Sequence, residues 1–300
     1  MKLNCEEQGV GGRVWGVGEE IAPSTLGIQA PSFQDDNIGG ALSPSPMQSS
    51  LREATPTLPP TPYTPYPIHD KRMIMTVGDS RVGKSTVTKL LVERYQAQGQ
   101  KIQLYNHDQR NRLKAYENLV PIKNLDFFGG ETDTILKDLN NQDLKIILVD
   151  MPGQYVDKIC EYIDKSQLLD LLVVYGWRLT FVQPISHRKD CLDYLQQLID
   201  TATNNANYVV VKNQHFDCSF REYCRTMQSK LPFIGGAEVE LTALHRDHYQ
   251  AMEELGKPYS SCYQDTSIYV IYRSYIYRWL KHFFDSVDNS SASKYLGMTR

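Results

Sequence analysis

The stretch that decides the fold is Gly78-Asp79-Ser80-Arg81-Val82-Gly83-Lys84-Ser85. It fits the pattern G-x-x-x-x-G-K-[ST] at every fixed position, and Thr86 follows it directly. An apolar run, Met73 to Val77, precedes the stretch, and a segment of helical length, Lys84 to Gln98, begins inside it. This strand, loop and helix order predicts that backbone N–H groups of the loop and the amino end of the helix face a phosphate group.

Two side chains of this loop suit a nucleoside triphosphate. Lys84 can place its ammonium group against the β- and γ-phosphates, which gives it a catalytic role as well, and the Ser85 hydroxyl can ligate Mg²⁺. The alternative is a chance match that only turns a strand into a helix, which the flanking segments disfavour. The predicted phosphate-binding residues are Gly78, Asp79, Ser80, Arg81, Val82, Gly83, Lys84, Ser85 and Thr86.

Asp150 is the predicted acidic partner of the loop. It follows a second apolar run, Lys145 to Val149, and resembles a Walker B aspartate. A carboxylate at the carboxyl end of a buried strand beside the loop can hold Mg²⁺ directly or through water, and Gly153 can offer its N–H to the γ-phosphate. The alternative is an ordinary turn aspartate that caps the next helix.

From Arg72 onward, apolar runs of strand length alternate with amphipathic stretches of helical length, as in parallel strands joined by crossover helices. The predicted strands are Met73 to Val77, Ile102 to Asn106, Lys145 to Val149, Leu169 to Tyr175 and Tyr208 to Val211. The predicted helices are Lys84 to Gln98, Val156 to Asp164, His187 to Asp200, Phe220 to Lys230 and Ser267 to Val287. We predict a three-layer α/β fold of the P-loop type with a mainly parallel sheet.

The composition divides the chain into three regions. Residues 1–70 hold ten of the 15 prolines and show no sustained apolar period, so we predict a disordered Pro-rich arm that acts as a tether. A docking peptide for a partner is the alternative. The predicted nucleotide-binding domain spans 71–288, and 289–300 is predicted to be a flexible tail.

Charge and hydropathy narrow the classes of partner. A formal net charge of -3 provides no field that draws the whole molecule to nucleic acid, and no run of about 18 apolar residues predicts a transmembrane segment. The six cysteines are scattered, without a C-x-x-C pair or a secretory leader. This pattern favours free thiols and a cytoplasmic location.

Two families share parts of these motifs. A Rab-type small GTPase resembles this chain in two motifs, Gly-Asp-Ser-x-Val-Gly-Lys-Ser and Asp-x-x-Gly-Gln. In that family a switch loop and an antiparallel strand follow the first helix. Here Gln100 leads straight to a buried strand, Lys101 to Tyr105, which indicates a βαβ unit. The segment after Val211 also lacks the Asn-Lys-x-Asp motif with which small GTPases read guanine.

From Arg72 to Val287 the chain resembles the ParA/MinD group of ATPases, through its loop, a segment ending in Asp108, the Asp150 strand and a late Gly-Lys-Pro. The resemblance implies bound ATP and Mg²⁺. It also implies that Asp108 orients the attacking water and that Asn213 contacts adenine. Members act in plasmid partition, mobilisation or surface positioning, so the resemblance further implies a protein partner or cargo and a homodimer.

Two positions depart from the ParA/MinD pattern. The family's signature lysine, which reaches the partner's nucleotide in the dimer, is replaced by Asp79, and Asn106 stands at the first of its two acidic positions. Hydrolysis of ATP is the favoured activity. A non-hydrolysing, nucleotide-dependent binding module and a GTP-switch protein remain the alternatives.

Two further features have open interpretations. The segment Ser267 to Val287 has an apolar stripe at helical spacing, and we predict the last core helix, with a membrane-surface helix as the alternative. Arg178, His187, Arg188 and Lys189 form a basic cluster in the sequence, which we predict to be a solvated helix start. The ParA/MinD resemblance implies the alternative, a nucleotide-proximal or partner-binding rim.

Overall fold

The computed structural model of the chain describes residues 71–107, 112–127 and 129–298. The predicted Pro-rich arm (1–70), Asp108 and residues 299–300 lie outside the described residues.

The described chain forms one parallel sheet. Its strands are β1 (Lys71–Thr76), β2 (Ile102–Asn106), β3 (Ile122–Asn124), β4 (Ile146–Asp150), β5 (Trp177–Ile185), β6 (Ala206–Asn213) and β7 (Gly236–Leu241). Their order across the sheet is β3-β2-β4-β1-β5-β6-β7, and every pairing is parallel. Parallel pairing gathers the carboxyl ends of β1, β4 and β2 at one edge, where ligands bind in open α/β sheets.

Helices cover both faces of the sheet. They are α1 (Lys84–Ala97), α2 (Thr134–Lys137), α3 (Val156–Lys165), α4 (Leu168–Val174), α5 (Asp190–Ala202), α6 (Arg221–Thr226), α7 (Arg246–Glu254), α8 (Tyr259–Cys262), α9 (Val270–Asp288) and α10 (Ala292–Tyr295). Along β1, Met73 and Met75 belong to the core under α3, α4 and α5, whereas Ile74 belongs to the core under α1 and α9. The α/β fold of P-loop type with a parallel sheet, predicted from the sequence, is confirmed.

The predicted strand Leu169 to Tyr175 is wrong, because these residues form helix α4 and its end. Leu168 and Leu172, four residues apart, are buried, whereas Val173 and Val174 are 60% and 77% exposed. A short apolar run does not distinguish a buried strand from a helix that packs along one side. The actual strand, β5, begins after Gly176, whose φ of 74° ends the helix.

Helix α9 belongs to the core through its second half. Ile276, Trp279, Leu280 and Phe283 are buried against the sheet, whereas the first turns expose tyrosine and aliphatic side chains. The core interpretation of this segment therefore holds for its carboxyl-terminal half. Among the described residues, no helix has the length and apolar character that a membrane crossing requires.

The prediction of a flexible tail from residue 289 is wrong as far as residue 298. Leu296 and Met298 are buried, and the Tyr95 hydroxyl donates to the Leu296 carbonyl at 2.7 Å. The Thr180 hydroxyl donates to the Tyr295 carbonyl at 2.7 Å. The few apolar residues of the tail complete the core beside α1 and β5, and this packing orders it. The mostly polar composition of the segment does not reveal that packing.

Candidate phosphate-binding site

The loop between β1 and α1 has an unusual backbone. Gly78, Arg81 and Gly83 have φ angles of 131°, 63° and 100°. Glycine adopts positive φ without steric cost, whereas a residue such as Arg81 loses about 1 kcal/mol there. Gly83 then caps the amino end of α1. The motif predicted from the sequence therefore folds as a tight loop that enters a helix.

Both glycines also lie against neighbouring groups. A Cβ at Gly83 would lie 2.8 Å from Asn213 Nδ2, and one at Gly78 would lie 3.4 Å from the Pro184 carbonyl oxygen. Asn213 Nδ2 donates to the Val82 carbonyl at 2.9 Å. Asn213, which the resemblance assigns to adenine, thus holds the backbone of the loop from the end of β6.

The positive groups of the loop are arranged for an anion. Lys84 Nζ donates to the Asp79 carbonyl oxygen at 2.7 Å, so the ammonium group lies over the loop. Helix α1 has no acidic residue in its first turn, which leaves the positive end of its dipole uncompensated by a carboxylate there. Ser85, the second residue of α1, is buried beside them.

Asp150 lies at the end of β4, in register with Thr76 of β1 and Asn106 of β2. The Thr88 hydroxyl lies 3.1 Å from both Asp150 Oδ1 and the Thr76 hydroxyl, which fixes the carboxylate against α1. Helical spacing puts Thr88 one turn beyond Ser85. A serine hydroxyl with a carboxylate is a hard oxygen donor set, so the chemistry of Ser85 and Asp150 fits Mg²⁺.

Gly153, in the segment after β4, lies close to the phosphate loop. A Cβ on Gly153 would lie 2.9 Å from Lys84 Nζ and 3.0 Å from Ser80 Oγ. Real Cβ atoms essentially never show the first of these distances, so a side chain here displaces the Lys84 ammonium group and crowds Ser80. The segment after β4 therefore reaches the phosphate loop closely because residue 153 is glycine.

The predicted basic cluster is divided by the strand between its members. Arg178 lies in β5 near its start, where Nε donates to Asn207 Oδ1 at 2.9 Å. Arg188 lies just beyond the other end of β5, where a guanidinium nitrogen lies 2.7 Å from Asp79 Oδ2 and donates to the Ser80 carbonyl at 3.1 Å. Arg188 thus lies at the rim of the loop, and Arg178 does not.

The end of β2 lies beside Asp150. Asn106 Nδ2 donates to Asn124 Oδ1 at 2.8 Å, and the His107 N–H donates to the Asp150 carbonyl at 3.0 Å. Burial lowers the pKa of His107 to about 4, so its imidazole is neutral at pH 7. Asp108 is outside the described residues, and its role in orienting water stays a prediction.

A cavity of about 290 Å³ opens beside the loop. The Thr86 hydroxyl lies 3.1 Å from the Tyr249 hydroxyl at this cavity. None of its described lining residues is Asp or Glu, and several present an aromatic ring. The lining residues are Arg81, Gly83, Thr86, Arg112, Asn213, His215, Phe216, Leu241, Thr242, Leu244, Tyr249 and Trp279.

Sequence reasoning missed Thr88, which touches Asp150; its position one turn after Ser85 on the same helix is the signal that could have identified it. Arg188 was named from the sequence as part of the basic cluster, but its contact with Asp79, 109 positions away, was not predicted, because no local pattern connects the two. The cavity beside the loop was not predicted either, because its lining comes from five separate segments.

No protein-family model matches the chain, and no curated protein matches it. Solved structures do match. The signal recognition particle receptor FtsY from Elizabethkingia anophelis is 19% identical, with a TM-score of 0.36, over 47% of this chain and 50% of its own. The chain thus spans about half the length of that receptor.

Two further structures were solved with nucleotide bound. A nucleotide-binding protein from Archaeoglobus fulgidus, in complex with ADP, is 16% identical, with a TM-score of 0.40, over 63% of this chain and 87% of its own. FlhF complexed with GMPPNP and Mg²⁺ is 16% identical, with a TM-score of 0.36, over 58% of this chain and 67% of its own. Because identities and TM-scores are low, the roles of residues rest on the geometry above.

Proposed function

We propose that this chain binds ATP with Mg²⁺ through residues 78–86 and hydrolyses it. The observation that carries the proposal is a complete G-x-x-x-x-G-K-S loop, folded between the central strand β1 and helix α1, with Asp150 at the end of the neighbouring strand. Backbone N–H groups, the dipole of α1 and Lys84 all favour a polyphosphate at this place.

Each residue has a distinct role in this proposal. Lys84 binds the β- and γ-phosphates, Ser85 and Asp150 hold Mg²⁺, and Asp108 orients water at the γ-phosphate. When held by Ser85 and Asp150, Mg²⁺ would offset the negative charge of the phosphate groups. Thr88 supports the Asp150 carboxylate through the 3.1 Å contact of its hydroxyl.

Adenine is the base that we propose, and the cavity beside Gly83 and Asn213 is its place. Recognition of guanine relies on an acceptor such as a carboxylate for the ring N–H and amino group. None of the described residues that line the cavity carries a carboxylate. His215 and Tyr249 offer rings against which a purine can stack.

A ParA/MinD-type role in partition, mobilisation or positioning, with a protein partner or cargo, is the wider proposal. The direct passage from α1 to the parallel strand β2 supports it over a small-GTPase arrangement. We also propose a cytoplasmic location, which the free thiols of Cys160, Cys191, Cys224 and Cys262 support.

Lys84→Ala tests the binding proposal. Removing the ammonium group leaves the buried core intact but removes the charge facing the phosphates, so ATP affinity should fall at least tenfold, about 1.4 kcal/mol. Isothermal titration calorimetry with Mg²⁺ and ATP measures it. A folded Lys84→Ala protein with wild-type affinity for ATP would contradict the proposal.

Turnover with ATP and GTP side by side separates the alternatives. The second candidate is the non-hydrolysing module. It is favoured because Asp79 replaces the signature lysine of the ParA/MinD group and Asn106 replaces the first of its two acidic residues. Asp108→Ala should lower the kcat for ATP by roughly a hundredfold with binding nearly unchanged. Wild-type protein that binds ATP without hydrolysing it would establish the non-hydrolysing binding module. Wild-type protein that hydrolyses GTP faster than ATP would establish the GTP-switch protein.

A further inference from the structure

Arg188 and Asp79 form an ion pair at the rim of the phosphate loop. The guanidinium nitrogen lies 2.7 Å from Asp79 Oδ2. The Asp79 side chain is 12% exposed and the Arg188 side chain is 42% exposed, so the carboxylate is largely buried and the arginine is partly in contact with solvent. The same nitrogen donates to the Ser80 carbonyl at 3.1 Å, which holds Arg188 against the loop as well as against Asp79.

The carboxylate of Asp79 is locked inside the loop. Its Oδ1 accepts the N–H of Ser80 at 2.6 Å, and the backbone carbonyl of the same residue accepts Lys84 Nζ at 2.7 Å. The negative charge therefore stays within the segment that the proposed function assigns to polyphosphate. The negative charges of a carboxylate and of a nearby polyphosphate repel each other, which opposes binding unless a cation offsets the carboxylate.

Other negative groups surround the same rim. A cavity of about 350 Å³ beside the loop is lined by Asp79, Asp190 and Asp193, among other residues. Arg188 therefore contacts a carboxylate that borders this cavity. The field at this edge of the loop depends on whether Arg188 is present.

We propose that Arg188 is a positioning residue that neutralises Asp79 and so allows the loop to accept a triphosphate. This inference rests on the proposed function, and it gives that function a regulatory element within the chain: any event that draws Arg188 away from Asp79 weakens nucleotide binding. Arg188 acts through Asp79 and not on the phosphates. Its effect is consequently the same for any base.

The test is a cycle of three variants: Arg188→Ala, Asp79→Asn and the double variant. Affinities for ATP, GTP and tripolyphosphate with Mg²⁺ are measured by calorimetry. Arg188→Ala should lower the affinity for each ligand that the wild type binds by about tenfold, because the Asp79 charge is then uncompensated. Asp79→Asn keeps the loop backbone but removes the carboxylate charge, and its affinity is the reference for the double variant. The double variant should bind within about twofold of Asp79→Asn, because no charge is left for Arg188 to offset.

Arg94→Ala is the matched control. Arg94 pairs with Asp288 at 2.6 Å, and it lies ten residues, or about 15 Å, along α1 from Lys84. Arg94→Ala removes the same charge and also breaks an arginine–aspartate ion pair, and it should leave nucleotide affinity unchanged. Melting temperatures of all variants show that each is folded.

The outcomes separate this inference from the proposed function. Wild-type protein that binds none of the three ligands overturns both. If wild type binds ATP but Arg188→Ala binds it equally well, only the inference is overturned. If Arg188→Ala weakens binding as much in Asp79→Asn as in wild type, Arg188 acts on the phosphates or through Ser80 and not through the Asp79 charge, and the neutralisation mechanism is wrong.

Discussion

Among single residues, Gly153 shows that the phosphate loop depends on space as well as on charge. The glycine lies where a Cβ would approach Lys84 Nζ to 2.9 Å and Ser80 Oγ to 3.0 Å. The lysine is held on its other side by the carbonyl oxygen of Asp79. The position of the ammonium group is therefore set by the backbone on both sides.

Gly153→Ala should weaken ATP binding by at least tenfold, because the added methyl group displaces the Lys84 ammonium or the loop. Residue 153 lies in a turn, so the free energy of unfolding should change by less than about 1 kcal/mol. Calorimetric titration and urea unfolding measure the two effects. An alanine variant that binds ATP as tightly as wild type would show that the loop moves aside without cost.

At the scale of elements, α1 and α7 are joined by a partly buried ion pair. Lys89 Nζ lies 2.9 Å from Glu253 Oε1, and the Tyr259 hydroxyl donates to the same oxygen at 2.6 Å. Burial alone would raise the pKa of Glu253, but the charge of Lys89 and the hydrogen bond from Tyr259 outweigh it. The pKa of Glu253 therefore lies below its ordinary value.

This lowered pKa predicts how the ion pair depends on pH. A carboxyl group whose pKa falls on folding stabilises the protein above its unfolded pKa, about 4.3 for Glu, and loses that stabilisation as pH falls through the folded pKa. Because the Glu253 side chain is 37% exposed, Glu253→Gln should cost only about 1 kcal/mol at pH 7. The cost should be smaller at pH 3 than at pH 7, because pH 3 lies below the unfolded pKa of Glu.

Urea unfolding of Glu253→Gln and wild type at the two pH values measures this difference. Glu254→Gln, on the exposed face of the same helix, is the control and should stay within about 0.5 kcal/mol of wild type at both. A cost for Glu253→Gln that is equal at pH 7 and pH 3 would show that charge is not its cause.

The carboxyl-terminal segment gives a second prediction for an element. Leu296 is 1% exposed in the core formed with α1 and α9, so Leu296→Ala should destabilise the protein by about 3 kcal/mol. Val174, which is 77% exposed at the end of α4, provides the control, and Val174→Ala should cost less than about 0.5 kcal/mol. Chemical unfolding that finds the two variants equally stable would mean that residues 289–298 do not contribute to the core.

For the whole molecule, the question is whether ATP brings two copies together. The ParA/MinD resemblance implies a dimer bridged by a lysine, but Asp79 stands at that position and is engaged by Arg188 of the same chain. A carboxylate does not bridge to a partner's triphosphate, because the charges repel. We therefore expect no lysine-bridged dimer.

Sedimentation velocity with and without Mg²⁺ and ATP should give the same sedimentation coefficient for the full chain. The Lys84→Ala protein, which should bind ATP weakly, is the control for any effect of nucleotide on shape. An ATP-dependent, symmetric dimer of wild type that is absent in Lys84→Ala would contradict the expectation and require another bridging group.

The sequence by itself determined the phosphate loop and four of the described strands, β1, β2, β4 and β6. These features depend on patterns within a few residues: the fixed glycines and lysine of the loop, and runs apolar enough to be covered on both faces. The position of Asp150 beside the loop follows from the same pattern, because the carboxyl ends of parallel strands share one edge. Asn213 was named from the family resemblance, and its contact with the Val82 carbonyl depends on the tertiary structure.

Only the tertiary structure decided the rest. The apolar run in α4 has the composition of a strand, and the edge strands β3 and β7 are short or carry alternating charges, so local pattern does not identify them. Arg188 reaches Asp79 because β5 pairs with β1 and ends beside the loop that β1 enters. Contacts between residues this far apart depend on which strands pair, and no periodicity within either segment encodes that.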